Sequence, residues 1–163
     1  MPPELHLNPR EIDLSRIVAD QEQIQQYNPQ RFEMMMLTAI VYLDTTRHLI
    51  VGYKDMHADE FWARGHLPGY PLFPGVLQCE AAAQLCSYYI VSQNIFQQDF
   101  VALGGLENAR FRLPIRPGDR LVLVAKSVKL HRRQTIFNVQ GFLDDKMAFH
   151  VDVVGMPFTL TKD

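Results

Sequence analysis

The stretch RGHLPGYPLFPGVLQCEAAAQ, Arg64 to Gln84, joins a stiff loop to an apolar helix. His66 stands in the loop, among Gly65, Pro68, Gly69 and Pro71. Such a loop can hold an imidazole rigidly. Pro74-Gly75 then gives a helix-entry signal. From Val76 to about Val91 the chain is Ala-rich and apolar on nearly every side, which predicts a helix. Its polar residues are Gln78, Glu80, Gln84 and Ser87. The last three recur at i, i+4, i+7 and so share one stripe. On a surface helix that stripe would face water. A helix this apolar must instead be covered on most sides. Glu80 then lies beside Ala81, Ala82 and Ala83 in a low-dielectric setting. Burial favours its neutral acid, and the nearby helix N-terminus favours its anion. Gly75 eases the turn; lacking a side chain, it also lets a ligand approach the first free amides of the helix.

Working outward, the period changes. Upstream, EMMMLTAIVYLD (33–44) and HLIVGYKDM (48–56) read as a hairpin across DTTR. Downstream, DFVALGGLENARF, DRLVLVAKSVKLHR, QTIFNVQGFLDD and KMAFHVDVVGMPFTL read as four strands. The short connections PIRPGD, RRQ and DDK predict an antiparallel meander through all four. Residues 1–10 are Pro-rich and irregular, and a short helix is expected over Ile12–Ala19. The fold class is α+β: a curved antiparallel sheet around one long helix. It is expected as one domain over 1–163, with an N-terminal extension at about 1–26.

Composition excludes several classes. The 163 residues are 47% hydrophobic with a formal net charge of -2, which gives no global pull toward nucleic acid. Cys79 and Cys86 would stand ~10 Å apart on a helix, too far for a disulfide; they read as buried free thiols. The N-terminus lacks a secretory signal, and the run MMMLTAIVYL is about half the ~20 residues of a membrane helix. A cytoplasmic protein without membrane association is expected. His6, His48, His57, His131 and His150 stand in ordinary contexts, and no metal-ligand set accompanies His66. No nucleophile elbow, phosphate loop or dinucleotide fingerprint is present. Arg110, Arg112, Arg116, Arg120, Arg132 and Arg133 gather in the second half, as solvated strand charges or as a docking patch.

A His, a Glu and a helix N-terminus suit one reaction class. A base removes a proton next to a carbonyl, helix amides hold the enolate-like oxygen, and a carboxyl group protonates a departing hydroxyl. That is β-elimination of water from a thioester, or its reverse.

The stretch Gly65-His66, Pro68-Gly69, Pro71, Phe73-Pro74-Gly75-Val76-Leu77, Glu80-Ala81 and Ala83-Gln84 resembles the signature of the β-hydroxyacyl-acyl carrier protein dehydratases of the hotdog superfamily. ARFRLPIRPGDRL, Ala109 to Leu121, resembles their second signature. The resemblance covers roughly residues 27–160. It implies a hotdog fold, with the sheet wrapped about the helix. It implies catalysis by His66 at C2 and Glu80 at the C3 hydroxyl, with Gly75 giving an amide to the thioester carbonyl. Phe73, Pro74, Val76 and Gln84 join Gly75 as substrate-binding residues. The substrate implied is a (3R)-hydroxyacyl chain on the phosphopantetheine arm of acyl carrier protein, in fatty acid or related acyl biosynthesis, with no metal or organic cofactor. The partner implied is a second copy, as a homodimer or a trimer of dimers, with His66 and Glu80 coming from opposite protomers. The chain departs from the pattern at Gln30, where the family usually has His; at Leu37-Thr38-Ala39, for Val-Asp-Arg; and at Leu67, for Phe. The alternatives are another hotdog enzyme, either a thioesterase or a CoA-dependent hydratase, and a non-catalytic acyl-binding protein.

Overall fold

A computed structural model describes residue 1 and residues 3–161. Its strands are β1 (Ala39–Asp44), β2 (Leu49–Asp55), β3 (Phe100–Phe111), β4 (Arg120–His131), β5 (Gln134–Leu143) and β6 (Lys146–Phe158). The helices are α1 (Gln21–Ile24) and α2 (Gly75–Ser92). All strand pairs are antiparallel, in the order β1-β2-β4-β5-β6-β3. Helix α2 extends the expected helix by one residue at each end. Ala81, Ala82, Leu85, Tyr89 and Ile90 on it are fully enclosed, packed against Ile50, Leu123, Phe137, Val139 and Val151 of the sheet. The buried Tyr89 hydroxyl is satisfied by His48 Nδ1 at 2.7 Å, from the β1–β2 turn. This is the hotdog arrangement.

The four-strand meander holds only for β4, β5 and β6. β3 pairs with β6 at the far edge, and β4 seats against β2 in unbroken register from Leu49↔Lys126 to Asp55↔Arg120. The connection Arg112–Asp119 holds Pro114 and Pro117 and exceeds the usual hairpin loop. It crosses between strands instead, tied by Phe73 N–H to Ile115 C=O (2.8 Å) and Met56 N–H to Asp119 C=O (2.9 Å).

β1 starts later than the pattern suggested. Phe32–Met34 form a 3-10 turn, and Met36 lies fully buried before the strand begins. The helix expected over Ile12–Ala19 is also absent. Those residues carry a turn at Leu14-Ser15 and no helix, and Val18 and Ala19 bond to Ile40 of β1. The α-helical turn lies later, as α1, fixed by a capping box between Asp20 and Gln23, after a 3-10 turn at Pro9–Glu11.

The N-terminal segment has a packing task. Alternation along the strands places Ala39, Val41, Leu49, Val51, Tyr53, Val122, Val124 and Phe142 in a cluster apart from the α2 core, on the sheet's other face. Leu7, Ile12 and Leu14 pack against this cluster. Their spacing is irregular because they follow a sheet surface. The strap is tethered at His6, whose N–H donates to Gln140 Oε1 (3.1 Å) and whose Nε2 lies 2.7 Å from Asn138 Oδ1. Gln140 Nε2 donates to Glu4 C=O at 2.7 Å, Arg47 donates to His6 C=O, and Arg10 pairs with Asp145. Cys79 and Cys86 are free and buried, and burial pushes both thiols up.

Deleting residues 3–16 uncovers this second core. A lower melting temperature and self-association are expected, read by calorimetry and light scattering. His6 adds a pH dependence. Burial, then Lys126, lowers its proton affinity, against the raising effects of Asn138 and Glu4. Below the ordinary value of 6.5 the unfolded chain therefore binds more protons, and stability falls as pH drops through that region. His6→Asn should flatten that slope in denaturant titrations between neutral and mildly acidic pH.

Candidate active site

The loop between β2 and α2 presents His66. Leu67 and Gly69 take positive φ (61° and 81°), which folds the chain back so that Tyr70 N–H reaches Leu67 C=O at 2.8 Å. His66 is held twice. Its N–H donates to Trp62 C=O at 2.8 Å, and its Nδ1 lies 2.7 Å from Leu72 C=O. A carbonyl can only accept, so Nδ1 carries the hydrogen and the neutral ring keeps its lone pair on Nε2. His66 and the rest of the loop from Arg64 to Tyr70 are exposed in the single chain. Arg116 stacks on Tyr70 at 4.8 Å and bonds to its hydroxyl.

Helix α2 begins at Gly75 with Pro74 as N-cap and no side-chain cap. Leu77 and Gln78 N–H bond back to Pro74 C=O, at 2.9 and 3.0 Å. The Gly75 and Val76 amides precede them, in the part of a helix that has no intrahelical acceptor. A Cβ on Gly75 would meet the Phe111 ring at 3.1–3.3 Å. The close approach that needs glycine is therefore made by Phe111. Of the other expected binding residues, Phe73 is 2% exposed and packs on Trp62 at 5.3 Å, Pro74 is buried, and Val76 is 77% exposed.

Glu80 lines a pocket between α2 and the sheet. Gln84, Ser87 and Ile90 continue along the same helix side, Val101–Leu103 form one wall, and Thr135 and Gly155 also face it. A Cβ at Gly155 would fall 2.6 Å from Thr135 Oγ1, so glycine permits this packing. The polar stripe thus faces a pocket inside the molecule. Gln84 fixes it: Nε2 donates to Glu80 Oε1 (2.8 Å) and to Met34 C=O (2.7 Å), and Oε1 accepts from Met36 N–H (3.0 Å). Glu80 Oε1 is thereby an acceptor, which leaves Oε2 as the oxygen able to carry a proton. Asn28 Nδ2 donates to Gln84 C=O at 3.0 Å. Gln30 also lines the pocket, with its Oε1 buried and unpartnered among the described residues.

The structure brings Glu80 and Gln84 together. His66, Phe73, Pro74, Gly75 and Val76 are not among the residues lining that pocket. Sequence reading missed Asn28, the Met34–Met36 backbone and the β3 wall. Their roles depend on long-range packing, and no local motif marks them. The arginines do not form one patch. Arg120 is engaged by Asp55 (2.6 and 3.0 Å) and by the Tyr53 ring (4.0 Å), which raises its proton affinity. Arg132 and Arg133 lie beyond the opposite end of β4.

Residues 28–152 match the family model of the FabA-like domain. The chain belongs to the FabA-like family. It is similar to the 3-hydroxyacyl-[acyl-carrier-protein] dehydratase FabZ of Desulfotalea psychrophila, 31% identical over 77% of this chain and 85% of that one. The FabZ of Clostridium novyi is likewise 31% identical, over 82% of this chain and 93% of that one. Among solved structures, the dehydratase heterocomplex ApeI:P from Xenorhabdus doucetiae aligns with a TM-score of 0.71 at 12% identity, over 82% of this chain and 90% of that one. Cj0977, a sigma28-regulated virulence protein of Campylobacter jejuni, aligns at 0.63 and 14%, over 93% and 97%. These structural likenesses concern the fold.

Gln84→Leu should leave the Met36 amide and the Met34 carbonyl unpaired and free Glu80 to rotate. A loss of about 1–3 kcal/mol in stability is expected. Denaturant unfolding checks the first effect, and a drop in turnover of about tenfold or more checks the second.

Proposed function

We propose that this protein converts (3R)-hydroxyacyl-[acyl-carrier-protein] thioesters to trans-2-enoyl thioesters, with His66 as base and Glu80 as acid. Membership in the family and the relatives named above support the hydro-lyase class. The observation that carries the residue roles is the pair of fixed orientations: Leu72 C=O holds His66 in the tautomer with a basic Nε2, and Gln84 leaves Glu80 Oε2 to bear the proton.

The steps balance. His66 Nε2 takes a proton from C2, and the C–H electrons move toward the thioester carbonyl. The Gly75 and Val76 amides stabilise the developing negative oxygen. The C3–O bond breaks as Glu80 gives its proton to the hydroxyl, and water leaves. Imidazolium and carboxylate then return to neutral imidazole and carboxylic acid by proton transfer. The acyl chain runs along α2 from Glu80 to Ile90, about 15 Å of helix at ~1.5 Å per residue.

A second copy completes the site. His66 lies outside the Glu80 pocket of its own chain. The outer edge of β3 is unpaired among the described residues, and Leu103, Leu106 and Phe111 on it are 42–50% exposed. A long exposed apolar edge strand invites pairing. In a homodimer built on it, each chain's loop supplies His66 to the other chain's Glu80, and two equivalent sites result. A trimer of dimers is the larger assembly consistent with the resemblance. Acyl carrier protein presents the substrate in the cytoplasm, and Arg112 and Arg116 at the β3–β4 crossover suit a phosphopantetheine phosphate. Residues 1–163 act as one hotdog domain. No helix among the described residues is long and apolar enough to cross a membrane.

His66→Ala and Glu80→Gln should each lower enoyl formation by about 10²–10⁴-fold without unfolding the protein. Mixing the two variants under conditions that exchange subunits should restore roughly a quarter of wild-type activity, because half the dimers carry one intact site. Full activity in either variant alone overturns the mechanism, and no recovery on mixing overturns the shared site.

A further inference from the structure

Alternation along β2 sends Ile50, Gly52 and Lys54 to the helix side of the sheet and Tyr53 to the strap side. Lys54 is thus a cation at the end of an apolar row, only 5% exposed. Its Nζ donates to Glu60 Oε1 at 2.8 Å, and the two side chains are 7% and 12% exposed. The same ammonium lies 5.9 Å from the Phe73 ring centre. Glu60 Oε1 also accepts from His57 N–H at 3.4 Å, and Glu60 C=O accepts from Ala63 N–H at 2.9 Å.

The sequence neighbours of these contacts are the groups that hold His66. Trp62, two residues beyond Glu60, gives the carbonyl that fixes the His66 backbone. Leu72, directly before Phe73, gives the carbonyl that fixes the imidazole. Trp62 and Phe73 themselves pack at 5.3 Å. The two arms of the loop therefore converge on Lys54, one through Glu60 and one through Phe73.

We propose that Lys54 and Glu60 are positioning residues for His66: the buried pair clamps both arms of the loop and so sets the direction of the imidazole. A buried ion pair is a poor device for stability alone. Desolvation offsets most of its attraction, and apolar side chains of similar volume are often as stable or more so. What the pair supplies is direction, because the ammonium hydrogen bond fixes where Glu60 sits and the carboxylate fixes the turn at His57. This rests on the reading of His66 as the base.

The test compares the wild type, Lys54→Met/Glu60→Leu, His66→Ala and the triple variant, each as the full chain, with a hydroxyacyl carrier thioester. In the apolar double variant kcat should fall about 10- to 100-fold, with KM within about twofold. Added to His66→Ala, the same double change should cost almost nothing further, since both act through one imidazole. Wild-type kcat in the double variant overturns the proposal, as does a loss that multiplies with that of His66→Ala. Full activity in His66→Ala alone overturns the base reading, which separates the two failures. Where the double variant does not fold, ring-nitrogen NMR of His66 in Glu60→Gln decides. A mixture of tautomers supports the clamp, and an unchanged Nδ1–H form overturns it.

Discussion

The structure depends on enclosing α2. The helix is apolar on nearly every side, so the sheet wraps it, and the few polar groups it carries must be satisfied inside the protein. Gln84 meets that demand by taking the backbone of residues 34–36 and the carboxylate of Glu80 at once. The same bonds that let a polar stripe sit under a sheet also orient an acid toward a pocket. In the segment before β1, the Met36 amide and the Met34 carbonyl are both spent on Gln84.

Much of the architecture was legible because it follows from periodicity. The helix limits, the β1–β2 hairpin and the three-strand meander of β4, β5 and β6 all follow local pattern. The placement of β3 does not. Short connections favour sequential pairing, but the choice between β4 and β6 as its neighbour is made by the sheet as a whole. β4 has β2 available in full register, and the Pro-containing crossover allows the chain to jump. The N-terminal segment was misread for a related cause. Leu7, Ile12 and Leu14 have no helical or strand period because a neighbouring sheet, rather than their own backbone, dictates where they point.

The site divides in the same way. His66 and Glu80 stand out locally, one by its Pro/Gly setting and the other by its isolation on an apolar helix. Their holders are partly near in sequence, Leu72 C=O for the imidazole and Gln84 for the carboxylate, and partly distant, the Met34–Met36 backbone that fixes Gln84 and Val101–Leu103 for the wall. Gly75 shows how a correct residue can carry a second reason. Its missing Cβ leaves room for the Phe111 ring, so the glycine serves packing at the helix entry as well as in the proposed role of its amide.

In the proposed mechanism Glu80 handles the oxygen at C3 while the thioester stays intact. Enoyl carrier thioester incubated in oxygen-18 water tests it directly, because elimination and hydration are one reversible step. Label is expected at C3 of a retained hydroxyacyl thioester with the wild type, and almost none with Glu80→Gln. Label in a free carboxylate, with release of carrier thiol, would contradict it.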